Sequence, residues 1–437
     1  MTEPVRVYRL ARSVCLALAA AGVCAAAETT LGGDFPAAIR KRAAESYWRE
    51  RNALPPLSRK MLVDSIELAR AYYLNHQLPE GNFAYGQNVT DNTADDDDSQ
   101  VRQAGALWGL TCLDRDRHTD ITRQAAVRGL DYFFRVSKPL PLGRVAPVYP
   151  KSDEISTGAV ALLSLAIVEM CRGQKDYLTP AGRGLYESWF DTYLRYLQHF
   201  ELDDGGWGQR YVISLNKRDA EGSSYYNGEA LLLYCKAARY MGRKELIPKI
   251  ERIAPLLAER YTVKAWETDP RSDDTKGFGH WGCLSFAECV EAGWQGADTL
   301  GDAALAIAWW LLHEHDVESR PGSTGYAVEG LLGAYRVARV RGDAAAMQSL
   351  RAAAERILVR QIRCQIGGPL QDQNLFLARA RIHPKFIGGI MSTEDSGYVR
   401  IGTVQHQLHA MLMALELFFP ETSPSPPATQ PQPARAP

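Results

Sequence analysis

The sequence predicts an all-α protein of six outer–inner helix pairs, and three observations carry that reading. Helical periodicity runs almost unbroken from Leu57 to Phe419, with little strand-type alternation. The helical stretches alternate between two kinds, one amphipathic and charged, the other rich in Gly, Ala and aromatics and apolar on most sides. The connections alternate too, short after the apolar kind and mostly long after the charged kind.

Taken in order, Leu57–Gln77 is amphipathic and Val101–Leu113 apolar; Thr119–Val136 and Ile155–Cys171 repeat the pattern. Thr179–Phe200 precedes Ser224–Met241, and Lys244–Tyr261 precedes His280–Ala292. Thr299–His315 then pairs with Gly325–Arg341, and Ala344–Ile362 with Ile401–Phe419. A helix apolar nearly all round must be buried, so the second member of each pair belongs inside. Gly105, Gly158, Gly228 and Gly330, near the starts of inner helices, would let crowded neighbours approach. The pairs recur at roughly 50 to 70 residues, a repeat of structure rather than of sequence. Six pairs close naturally into an (α/α)6 toroid (barrel), with an open α-solenoid as the alternative closure. A toroid gathers the long connections 78–100, 138–154, 201–223, 262–279 and 363–400 on one rim, at the N-termini of the inner helices. Binding groups collect in such loops.

This pattern resembles the six-hairpin (α/α)6 toroid group over roughly residues 40–420. That group includes glycoside hydrolases, polysaccharide lyases and sugar epimerases, and the resemblance implies a carbohydrate-active enzyme. Terpenoid cyclases share the toroidal plan. The run Asp95-Asp96-Asp97-Asp98 fits their DxDD pattern, and Gly205-Gly206-Trp207-Gly208 is similar to their tight Gly-Gly-Trp turns.

Composition narrows the function classes. Fifty Lys and Arg against 51 Asp and Glu give a formal net charge of −1, which argues against nucleic acid as a partner. With 46% hydrophobic and 23% charged residues, the chain is of ordinary globular composition. Arg6, Arg9 and Arg12, the apolar run Val14–Ala27 and the small residues Ala25-Ala26-Ala27 form the pattern of an export signal over residues 1–27. The run is too short to span a bilayer, so a periplasmic or secreted protein without stable membrane insertion is expected. Residues 28–420 would form the toroid, and the Pro-rich stretch 421–437 a disordered tail. Cys112, Cys171, Cys235, Cys283, Cys289 and Cys364 show no metal-type spacing and suit buried thiols with at most one disulfide.

The rim segments are rich in aromatics and carboxylates, a combination suited to stacking on sugar rings and moving protons. Glu229 stands one turn into an apolar helix, where a carboxylate must be paired, protonated or facing a wet cavity. The expected chemistry is glycoside hydrolysis by paired carboxylates, Glu229 with Asp395 or Glu394, and Asp98 and Asp204 in reserve. Each has a structural alternative: Asp98 as a helix cap, Gly205–Gly208 as a turn packing Trp207 on helix ends. Trp207, Tyr211, Tyr226 and Trp281 are candidate sugar platforms, and His280 should stand at the cavity mouth. Arg102 and Arg400 suit acidic groups, which keeps a lyase or epimerase acting on uronic acids as the nearest rival. A non-catalytic glycan-binding toroid has the same aromatics without an acid–base pair. His406 and His409 share a helix face, yet no third ligand is evident at short spacing, so neither metal nor other cofactor is expected. His406, nearer the rim, would orient a carboxylate or bind an oligosaccharide or polysaccharide substrate.

Overall fold

In a computed structural model, residues 54–420 are described apart from 96, 174–177 and 321. The export-signal reading of 1–27 and the disordered-tail reading of 421–437 fall outside these residues. The outer helices are α1 (Arg59–His76), α3 (Asp120–Val136), α5 (Pro180–His199), α7 (Ile247–Glu259), α9 (Ala297–His313) and α11 (Ala344–Ile362). Between them in sequence come the inner helices α2 (Gln100–Asp116), α4 (Thr157–Arg172), α6 (Ser224–Tyr240), α8 (Asp273–Ala292), α10 (Gly325–Arg341) and α12 (Ile401–Phe418). Each inner helix packs on the next, and α12 packs on α2. The ring is therefore closed, an (α/α)6 toroid and not an open solenoid.

The inner helices are buried on nearly every side, as their composition requires: in α4 every residue from Thr157 to Cys171 is buried. Close approach depends on glycine at two contacts. A Cβ on Gly158 would fall 2.4 Å from Glu229 Oε2 and from the Tyr226 ring, and one on Gly228 would meet Trp281 Cβ at 2.4 Å. Side-chain capping divides the two layers. Ser58, Thr119, Thr179 and Asp343 cap outer helices through their side chains. Of the inner helices only α8 is so capped, by Ser272, whose hydroxyl accepts from the backbone N–H of Asp274 and Thr275.

That cap explains one departure from expectation. The helix carrying His280 begins at Asp273, so the long loop expected at 262–279 does not exist. Its first half is taken up by α7, which runs on through a π-turn (Arg260–Lys264) and a last turn to Thr268. His280 is consequently two turns deep rather than at the mouth.

Short antiparallel ladders tie the rim loops together. β1 (Gly86–Asn88) pairs with β7 (Tyr398–Arg400), with Gly86 opposite Arg400, and joins the first and last rim loops. β2 (Ser137–Leu140) pairs with β3 (Arg144–Pro147), and β4 (Glu154–Ser156) with β5 (Arg210–Val212), which also pairs with β6 (Lys217–Arg218).

The opposite end of the ring is closed by ion pairs. Glu169 on α4, fully buried, meets Arg115, Arg172 (2.9 Å) and Lys236 (2.5 Å). Glu288 on α8 meets Arg239 and Arg336, the latter at 3.0 Å. Burial works to raise the pKa of Glu288, but Arg336, Lys236 and Arg239 outweigh it and hold it down to about 2. Glu288 thus serves the scaffold. All six cysteines from Cys112 to Cys364 are buried free thiols; Sγ of Cys235 lies 3.7 Å from that of Cys289. No helix among the described residues is long and apolar enough to cross a membrane.

Candidate functional site

A cavity of about 650 Å³ opens at the rim where the inner helices begin. Seven residues singled out in the sequence line it: Arg102, Tyr226, Glu229, His280, Trp281, Arg400 and His406. Six did not reach it, for identifiable reasons. Trp207 is fully buried, edge-on to Tyr234, and its backbone N–H donates to Asn227 Oδ1 at 2.8 Å, so the Gly-Gly-Trp turn is stapled to α6. Tyr211 is buried in β5, its hydroxyl donating to Asn216 at 2.5 Å. Neither ring is a face open to sugar.

The carboxylates expected to partner Glu229, Asp395 or Glu394, and the two in reserve, Asp98 and Asp204, are likewise engaged elsewhere. Asp204 accepts from the Gly206 N–H at 3.1 Å and pairs with Arg260 at 2.9 Å. Glu394 pairs with Arg363 at 2.5 Å, and the exposed Asp395 accepts from Thr393 Oγ1 at 3.1 Å. Asp98 is not the cap of α2, whose N-cap is Ser99. It accepts instead from Gln103 Nε2 (2.9 Å) and from the Tyr149 hydroxyl (2.5 Å), fastening two rim loops. Asp95 accepts from Tyr398. The acidic run therefore braces the rim.

Two chemical centres remain in the cavity. Glu229 is 3% exposed, and its Oε2 has no hydrogen-bond partner among the described residues. Burial alone pushes its pKa well above the ordinary carboxylate value, which favours the neutral acid. Among the described residues it is also the only carboxylate in the cavity lining.

The second centre is built by three helices. Glu329, one turn into α10 and fully buried, accepts from Nδ1 of His406 through Oε2 and from Nδ1 of His409 through Oε1, each at 2.7 Å. Burial tends to raise its pKa, but the two imidazoles prevail and hold it at about 2. A carboxylate only accepts, so Nδ1 of His406 carries its proton and Nε2 is left for the cavity. His280 stands beside it on α8, the two ring centroids 5.5 Å apart, with Trp281 and Tyr326 flanking at 4.5 and 5.6 Å. His280 is 2% exposed, neither ring nitrogen has a partner, and burial lowers its pKa to about 3. It is a neutral imidazole.

The sequence shows no third ligand at short spacing from His406 and His409; the fold brings donors to His406 from two other helices. His280, Glu329 and His406 bring one donor atom each within 4.8 Å of one another. Both oxygens of Glu329 already accept hydrogen bonds, however, so a cation of the zinc type would require it to release His406. Glu329 was not among the candidate residues, nor were Gln209, Lys276, Ser323, Tyr326 and Gln405, which also line the cavity. Glu329 did leave a signal: like Glu229, it stands one turn into an inner helix.

No family model matches the sequence, and no curated protein matches it. Several solved structures resemble it in fold. A D-mannose isomerase superposes with a TM-score of 0.57 at 12% identity over 82% of this chain and 98% of its own. The cellobiose 2-epimerase from Bacillus thermoamylovorans gives 0.56 at 12% identity over 79% and 95%. A family 76 glycoside hydrolase from a bovine Bacteroides thetaiotaomicron strain gives 0.54 at 14% identity over 81% and 78%. At these identities the likeness establishes the fold alone, an (α/α)6 toroid.

Proposed function

We propose that this chain is a carbohydrate-active enzyme that moves a proton at a carbon of a bound sugar, an epimerase or isomerase. The observation that carries the reading is the Glu329–His406 pair facing the same cavity as the neutral His280. Nε2 of His406 would take a proton from a carbon next to a carbonyl. The electron pair left behind moves onto the carbonyl oxygen, giving an enolate. Two neutral donors, the Glu229 carboxyl and the His280 N–H, suit that oxygen, because a neutral acid in an apolar site donates a hydrogen bond without first shedding charge. Delivery of a proton to the same carbon from the opposite face by a neutral acid of the cavity would give an epimer. Return from His406 to the former carbonyl carbon, as the neighbouring hydroxyl gives up its proton and the enolate oxygen gains one, would give an isomer. The isomerase and epimerase among the similar structures support this reading.

Glycoside hydrolysis is the second reading, favoured by one feature: Glu229 is protonated and able to serve as general acid. Its difficulty is the partner, since no second carboxylate among the described residues lines the cavity. The test is incubation in heavy water with a panel of aldoses, ketoses, uronates and their oligosaccharides. Deuterium at carbon, read by mass and NMR, is the expected result. New reducing ends without deuterium would transfer the assignment to hydrolysis, and retention on glycans with neither would make the toroid a binding protein. We place this activity outside the cytoplasm on the pattern of residues 1–27. N-terminal sequencing that finds Met1 on cytoplasmic protein would refute that placement.

A further inference from the structure

We propose that the sugar is an anionic one, its acidic group held between Arg102 and Arg400; this rests on the carbohydrate reading above and deepens it. The two arginines come from opposite ends of the chain, and the rim ladder joins them. Arg400 lies opposite Gly86 in the β1–β7 pairing, and the N–H of Ile401 donates to the carbonyl of Tyr85 at 2.9 Å. Tyr85 in turn receives a hydrogen bond from Nη1 of Arg102. The aliphatic part of Arg102 runs past Gly402 at the start of α12, where an added Cβ would meet its Cγ at 3.5 Å. One wall of the cavity thus carries both guanidinium groups.

Neither has a carboxylate partner among the described residues, and Nε of Arg400 is buried without any hydrogen bond. The arginines at the far end of the ring differ. Arg115, Arg172, Arg239 and Arg336 all spend their charge on Glu169, Glu288 or Glu291. Lys276 adds a third cation to the lining, with only the exposed Asp273 near it at 3.6 Å. Among the described residues the sole carboxylate of the lining is Glu229, whose burial favours its neutral form. A chain of net charge −1 has therefore concentrated unspent positive charge in one cavity. Inner-helix N-termini that mostly lack side-chain caps add to the same field. A planar carboxylate accepts from two guanidinium forks at once, and a phosphate ester offers the same chemistry.

The test uses the full-length protein and pairs of sugars differing only in the acidic group: hexuronates and oligouronates, the corresponding hexoses and neutral oligosaccharides, and hexose 6-phosphates. Binding is read by calorimetry, with heavy-water exchange followed separately. The anionic member should bind about tenfold or more tighter, as charge-assisted hydrogen bonds imply, and lose that margin as salt rises. The carboxylate and phosphate arms then tell which acid is preferred. R102Q/R400Q should abolish the margin, and R102K/R400K should keep part of it, both variants being checked for an unchanged circular dichroism spectrum. Equal or tighter binding of neutral sugars overturns the proposal, as does a margin that survives in folded R102Q/R400Q or a failure of every anionic sugar to bind. Anionic sugars that bind without exchanging would sink the proton-transfer reading alone. Exchange confined to neutral sugars would sink this one alone.

Discussion

Replacing Glu229 by Gln separates a neutral acid from a charged one, because the two make opposite predictions for stability. An unpartnered carboxyl whose folded pKa lies above its ordinary 4.5 stays protonated while the unfolded chain ionises. Below pH 4.5 both states hold the proton and the group costs nothing. Above it, each pH unit up to the folded pKa favours the unfolded chain by about 1.4 kcal/mol. For a chain of this length, 1 kcal/mol shifts the melting temperature by roughly 1–2 °C. Glu229→Gln removes the ionisation and keeps the shape. It should therefore melt with wild type near pH 4 and then gain about 2 °C per pH unit until the wild-type carboxyl ionises. Thermal melts followed at 222 nm between pH 4 and 8 measure this. A variant that melts below wild type at pH 7, with the gap closing toward pH 4, would show that Glu229 is ionised and paired, and the assignment as a neutral donor would fall. The same sample, once a substrate is known, should have lost turnover by about 10² to 10⁴. Higher stability with lost turnover is the signature of a group kept for chemistry.

Three further expectations follow from the same site and its surroundings. His280, with its folded pKa lowered from 6.5 to about 3, contributes stability that is complete above pH 6.5 and is lost as pH falls toward 3. Urea midpoints between pH 7 and 4 should thus fall less steeply in His280→Gln than in wild type, and parallel slopes would contradict the burial argument. Glu329→Ala leaves two imidazoles without their acceptor. A loss of about 3 kcal/mol is expected, with a changed pH–rate profile besides lost turnover; a variant as stable as wild type would dissolve the dyad. The six cysteines from Cys112 to Cys364 are buried, so none should react with a thiol reagent until denaturant is added. Fast labelling of any of the six in native protein, located by peptide mass, would refute that.

Much of the fold was legible because burial acts on each helix by itself. A helix such as Ile155–Cys171 that is apolar on every side has only one place to go, and the observed Thr157–Arg172 differs by two residues at its start and one at its end. The same reasoning found Glu229, since a carboxylate in such a helix is costly wherever it lies. Pairwise partnerships were not legible. Glu329 meets His406 across 77 residues, and Glu394 meets Arg363 across 31, so the spacing that reveals same-helix neighbours says nothing of either. Trp207 and Tyr211 were misplaced for a related reason. An aromatic in a rim loop can face the cavity or pack beneath it. The Asn227 hydrogen bond that decides the matter for Trp207 comes from the next helix.

The two ends of the ring make the chemical argument in opposite senses. At the far end Glu169 and Glu288 are each met by two or more cations, and inner helices are pinned by charges fully used among themselves. At the rim the pattern reverses: a carboxyl without a partner, an imidazole without a partner and two guanidinium groups without a carboxylate stand around one cavity. Desolvating such groups costs free energy that the fold alone does not recover. The exception is Glu329, whose two oxygens are both taken and whose effect reaches the cavity only through His406. Polarity of this kind, satisfied below and unsatisfied above, is what a site prepared for a polar ligand requires. A single carboxylate in the lining among the described residues, its pKa raised by burial, weighs against a pair of carboxylates working on a glycosidic bond and in favour of the imidazole-based proton transfer proposed above.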